Sequence, residues 1–244
     1  MAELWRASEH EPLAAAEWDE ARAEAAIAEI VADAEAAFDG ERWPWHPLDG
    51  EDDGASSIYL GGAGTIWALH ELGSTGWGDE ALSFVDRRRT EPLWQGQSLE
   101  QSYSFGELGV ALVAFRLTGD AGLADRIHEL VVAVHPSETN EVMAGTPGSL
   151  LVAEAMLAWT GEPRWDEAWR SAAERVIAAR DDDGLWTQSF GGSARYLGPA
   201  HGYAGNMRAL ANRGDAPAPA DLSPLPPARR RARQLAAARG LPAR

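Results

Sequence analysis

The chain has no cysteine and no lysine. Without cysteine it can form neither a disulfide nor a thiolate metal site, and it brings no thiol nucleophile of its own. Any metal would need His and carboxylate ligands. Without lysine, arginine is the only strong base, and the formal charge is −17 at pH 7. An acidic body of this kind repels phosphate backbones, so nucleic acid is not an expected partner. Long apolar runs are lacking too. Nothing approaches the roughly 20 apolar residues of a membrane span, and Met1 to Leu13 holds no apolar targeting core. A soluble, cytoplasmic protein with no membrane association is expected. Almost no segment alternates with the period of two that marks a half-buried strand, so the expected class is all-α. At 244 residues, one large domain with a buried core is within reach.

What is present is helical patterning. From Trp18 to Phe38 the chain is rich in Ala and Glu, and Ile27, Ile30, Val31, Ala34 and Phe38 recur at steps of three and four. That spacing predicts an amphipathic scaffold helix. Pro44, Pro47 and the acidic run Asp49 to Ser57 then break the pattern. Beyond them four Gly-x-x-Gly segments stand out, Gly61–Gly64, Gly106–Gly109, Gly145–Gly148 and Gly202–Gly205. The first three precede runs that are apolar nearly all round, as buried helices are. Charged amphipathic segments, Asp79 to Arg88, Ala121 to Val134 and Trp165 to Arg180, lie between them and read as outer helices. Starts 45, 39 and 57 residues apart make each unit about one helical hairpin.

Hairpins with one buried and one exposed helix can stack as a solenoid or close into an α/α toroid around a cavity. Glycine at the first turn of each inner helix lets backbones approach closely, and it leaves helix N-terminal amides open to a ligand. After Asp215 the character changes: Ala216 to Arg244 holds six Pro, six Arg and one acid, Asp221. This predicts a toroid region over residues 1–215 and a disordered Pro/Arg-rich tail over 216–244. Arg229, Arg230, Arg231 and Arg233 could instead serve as a basic arm for the acidic body or an acidic partner.

The segment from Arg195 to Asn206, RYLGPAHGYAGN, places His201 among small residues at the entrance of an inner helix. An imidazole there can take a proton from a thiol or return one to carbon. Glu141 stands four residues before Gly145, at the mouth of the neighbouring inner helix. A carboxylate can orient that imidazole or protonate an enolate, although a Glu near a helix start can also be only a dipole partner. His10, His46, His70, His128 and His135 show no metal-ligand spacing.

RYLGPAHGYAGN resembles the Gly-x-Ala-His-Gly-x-x-Gly signature of the LanC-like family, the lanthionine-synthetase cyclases and their glutathione-adding relatives. NEVMAGTPG, Asn140 to Gly148, resembles the segment before that family's preceding inner helix, and SIYLGGAG and SYSFGELG resemble its earlier repeats. The resemblance runs from about Trp5 to Leu210 and implies an α/α toroid of helical hairpins, here incomplete at about four repeats. It implies addition of a zinc-activated thiolate to dehydroalanine or dehydrobutyrine, giving a thioether. The expected partners are a dehydrated peptide or protein and a thiol such as glutathione. By the same match His201 is the acid–base residue and Glu141 its acidic partner, with Arg195 and Tyr196 lining the approach; Tyr203 is a further substrate-binding candidate, and Trp94 and Trp186 stand before inner-helix starts, where a ligand could reach them.

The chain departs from the family downstream, where a Cys and then a Cys-His pair bind zinc; the Pro/Arg tail stands there instead. No metal ligands and no cofactor are therefore expected in this chain, and thioether formation is expected to be impaired in a truncated toroid whose open faces self-associate. Two rivals remain. One is a peptide-binding remnant without catalysis. The other is a carbohydrate-active toroid enzyme, with eleven Trp as sugar platforms and Glu107 with Glu141 as the acid pair.

Overall fold

The computed structural model describes residues 17–44, 56–90, 99–133, 139–189 and 192–211. Trp94, the tail, His10, His46 and His135 lie outside the described residues. Within them the chain forms α1 (Glu20–Ala37), α2 (Gly62–Glu71), α3 (Gly78–Thr90), α4 (Glu107–Thr118), α5 (Ala121–Val132), α6 (Thr146–Thr160), α7 (Arg164–Ala178) and α8 (Tyr203–Ala211). The described residues contain no strand, only the isolated bridges Gln188–Ala194 and Tyr196–Gly202. No described helix is long and apolar enough to cross a membrane.

Each Gly-x-x-Gly segment opens a helix: α2, α4, α6 or α8. In α4 every residue from Glu107 to Ala114 is buried, as its all-round apolar sequence requires. The alternate helices α3, α5 and α7 bury one stripe each. In α7 this stripe is Trp165, Ala168, Trp169, Ala172, Ala173 and Val176, the three- and four-residue spacing of one helical face. Asp120 caps α5 by accepting the Leu123 N–H at 3.0 Å. Gly119 and Gly161 end α4 and α6 with φ of 67° and 69°, where glycine bears no Cβ penalty. Near their C-terminal ends α2, α4 and α6 converge on one aromatic cluster. The Trp159 ring lies 6.0 Å from Trp67 and 6.4 Å from Phe115, with the Arg116 guanidinium 5.2 Å above it.

The loops that enter these helices interlock in chain order. Tyr59 donates its backbone N–H to Ser104 at 3.0 Å, Ser104 to Met143 at 2.9 Å, and Val142 to Ala200 at 3.2 Å. The second glycine of each segment explains the close fit. A Cβ on Gly64, Gly109, Gly148 or Gly205 would overlap the carbonyl oxygen six residues earlier, of Ile58, Tyr103, Val142 or Pro199. The same glycine receives a side chain from the loop before it. Ile58 stands 2.8 Å from the Cβ position of Gly109, Tyr103 2.8 Å from that of Gly148, and Val142 2.8 Å from that of Gly205. The glycines thus do packing work, and the four entrance loops lie against one another.

Helix α1 forms where the spacing predicts a scaffold helix, but no residue of it is buried, and Ile27 and Ile30 are 39% and 60% exposed. The helix leans on α2 and is anchored at its end, where Phe38 and Trp43 stack against Trp77 and Phe84. Periodicity foretold the helix. It could not foretell that the neighbouring elements leave this face open.

Candidate functional site

Three of the four entrance loops share one local device. Ser57 accepts the Leu60 N–H through its hydroxyl at 3.1 Å, and Ser102 accepts that of Phe105 at 3.0 Å. These are local side-chain caps closing a turn. In the third loop the equivalent residue is Glu141, whose Oε1 accepts the Ala144 N–H at 2.5 Å. A carboxylate has a second oxygen. Glu141 Oε2 accepts the Met143 N–H at 3.1 Å and meets His201 Nδ1 at 2.9 Å. The third entrance is thereby tied to the fourth through a capping group that a serine could not extend so far.

His201 occupies the position just before the first glycine, which Leu60, Phe105 and Ala144 hold in the other loops. Those residues, with Leu99, Met143 and Ala200, make a small apolar cluster at this end of the molecule. Glu141 is fully buried, whereas the His201 side chain is 41% exposed. The dyad therefore has a dry carboxylate and an imidazole open to solvent. With Nδ1 engaged by Glu141, proton exchange with a substrate falls to Nε2. Burial pushes the Glu141 carboxyl above its ordinary range and outweighs the opposing Ala144 and Met143 N–H groups and His201.

That direction sets a pH dependence. The folded chain holds a proton on this site more tightly than the unfolded chain, whose carboxyl titrates near 4.5. The associated stability is present below that pH and is lost as pH rises through the higher folded value. Glu141→Ser restores the cap that Ser57 and Ser102 provide, and removes the titrating group. Wild-type stability should fall relative to Glu141→Ser as pH is raised from 4.5 towards neutrality. Parallel stability–pH curves in chemical denaturation would contradict the desolvated carboxylate.

No family model matches the chain, and no curated protein matches it significantly. The LanC-like resemblance rests on the quoted segments alone. Zinc, which that resemblance implies, finds no fitting set of donors among the described residues. The sequence has no Cys, and no three His, Asp or Glu side chains converge among the described residues. Glu141 and His201 bond to each other through Nδ1.

Of the other expected site residues, Tyr196 stays beside the dyad, 52% exposed with its ring 6.4 Å from that of His201. Three others are engaged in contacts elsewhere. Trp186 is a core residue, 2% exposed, donating its indole N–H to the Val176 carbonyl at 2.6 Å beneath Arg180. Tyr203 packs its ring 5.8 Å from Trp186, against the core. Arg195 braces its own loop, bonded to Asp183, to Asp181 at 3.1 Å and to the Thr187 hydroxyl at 3.1 Å.

Glu107, the second acid of the carbohydrate reading, is committed as well. It is 3% exposed and ion-paired with Arg126 at 2.7 Å and Arg89 at 2.8 Å, which ties α4 to α5 and α3. Burial opposes its ionisation, but the hydrogen bonds from Arg126 and Arg89 prevail and hold the carboxyl below its ordinary range. A group so held is a poor general acid. Two residues were missed from the sequence. Asn206, fully buried, donates to the Asn140 carbonyl at 2.9 Å, and Asn140 donates to that of Thr187 at 2.9 Å, stitching α8 to the Glu141 loop. Their placement beside the Glu141 and His201 segments was the available signal.

Proposed function

We propose that this chain promotes addition of a thiol to dehydroalanine or dehydrobutyrine in a peptide, with His201 as the acid–base residue and Glu141 as its orienting partner. The observation that carries the reading is the 2.9 Å contact between a solvent-open imidazole and a fully buried carboxylate. A free thiol, of pKa about 8.5, is mostly protonated at neutral pH, so a base is needed at the sulfur. His201 Nε2 takes the S–H proton as sulfur bonds to the substrate Cβ. The C=C electron pair moves to Cα and is delocalised onto the adjacent carbonyl. The imidazolium then returns the proton to Cα. One S–H and one C=C π bond are exchanged for one C–S and one C–H bond, with no oxidant or net proton change.

The succession of entrance loops suits an incomplete α/α toroid of about four hairpins, with the peptide laid along the entrances past Tyr59, Tyr196 and Leu197, which are 59%, 52% and 60% exposed. A thiol such as glutathione places the reaction in a reducing cytoplasm. The test is thioether formation on a dehydroalanine peptide with glutathione, followed by mass spectrometry against the solvent reaction. Acceleration is expected. A second reading, a peptide-binding module without turnover, is favoured by the lack of fitting zinc donors among the described residues, and binding at the solvent rate of addition would establish it instead.

A further inference from the structure

We propose that the arginine-rich segment Arg229–Arg239 of this same chain docks along the open face of α1. The face is a groove of about 630 Å³, lined by Glu24, Ile27, Val31 and Glu35 on one side and by the turn after α2, Leu72 to Thr75, on the other. Its lining joins apolar Ile27, Val31 and Leu72 to the acids Glu24 and Glu35, the latter accepting the Ser74 hydroxyl at 2.5 Å. From Glu17 to Ala37 the chain carries seven acids, Glu17, Asp19, Glu20, Glu24, Glu29, Asp33 and Glu35, against the single base Arg22. A second copy offering its own α1 would bring like charges together over this apolar strip, and phosphate-bearing partners would be repelled.

The segment that complements both features lies in the chain itself. Arg229, Arg230, Arg231, Arg233 and Arg239 supply five positive charges with no acid between them, and Leu235 with Ala232, Ala236 and Ala237 supplies small apolar side chains. Tethering favours this occupant further. Arg229 follows the end of α8 at Ala211 by 18 residues, a span of about 60 Å when extended. A domain of this length has a radius of gyration near ~17 Å, so the arm reaches any part of the surface. An intramolecular partner acts at an effective concentration that a free peptide does not match. The same argument sets this face apart from the self-association expected of a truncated toroid.

The lack of cysteine makes the test clean, because introduced thiols are the only ones in the full chain. Ala28 lines the groove and Ala26 does not. Under mild oxidation the pair Ala28→Cys with Gln234→Cys should close a disulfide within one molecule about tenfold faster than Ala26→Cys with Gln234→Cys, reflecting local concentration. Replacing Arg229, Arg230, Arg231 and Arg233 by Ser, or adding about 0.5 M salt, which screens exposed charges, should erase the difference. Equal closure rates for the two pairs, a preference that survives removal of the arginines, or disulfides formed only between molecules would each overturn the proposal.

Discussion

His201→Ala should lower the rate of thioether formation by about 10²–10⁴-fold, the range lost with a positioned general acid–base, while leaving the thermal transition nearly in place. The fold is expected to tolerate the change because the His201 side chain is 41% exposed, and the Glu141 oxygens it leaves still accept the Ala144 and Met143 N–H groups. Glu141→Ser reaches the same chemistry from the other side. It keeps the loop capped, as Ser57 and Ser102 cap theirs, but takes away the atom that holds Nδ1. An imidazole without an orienting partner loses much of its catalytic effect even when its own ring is intact. Rates measured with saturating thiol, alongside calorimetry of each variant, separate this from unfolding. A His201→Ala chain as fast as wild type would remove the imidazole from the mechanism.

Gly148→Ala should be among the most damaging single-methyl changes in the chain. The added Cβ would overlap the Val142 carbonyl oxygen and stand 2.8 Å from the Tyr103 side chain. Neither is the far end of a flexible side chain that can swing aside. The third entrance loop must move, and overpacking of this kind costs about 3 kcal/mol. For a domain of this size that lowers Tm by about 6–12 °C. Because Val142 adjoins Glu141, the displacement should slow thioether formation as well. Gly161→Ala is the natural control. Gly161 has a positive φ of 69° but open space at its Cβ position, so the substitution costs only the left-handed backbone conformation, about 1–2 kcal/mol. If the two variants melt together, the interlock between loops is not what requires glycine at position 148.

The helices were legible in the sequence because apolar spacing and Gly-x-x-Gly punctuation are local signals, and α4 and α7 bury the faces those signals indicate. The pairing of Glu141 with His201 was also legible, since Glu141 lies four residues and His201 one residue before the first glycine of neighbouring repeats, and the entrance loops bond to one another in chain order. Roles that depend on distant partners were not. Nothing in the local sequence around Glu107 names Arg89 and Arg126 as its partners. Trp186 stands close to an inner-helix start and invited a ligand role, yet its indole reaches back to Val176. Arg195 is fixed by acids twelve and fourteen residues earlier, across a loop whose path periodicity does not reveal. The α1 face shows the same limit, because an amphipathic pattern does not name what covers it.

The central claim is that Glu141 and His201 act as one proton-transfer unit, and the double variant Glu141→Ser with His201→Ala tests it most directly. Groups that act as a unit are strongly non-additive in rate. The rate of thiol addition to a dehydroalanine peptide should be the same for the double variant as for His201→Ala alone. Rate losses that multiply, or a wild-type chain no faster than solvent, would contradict the account.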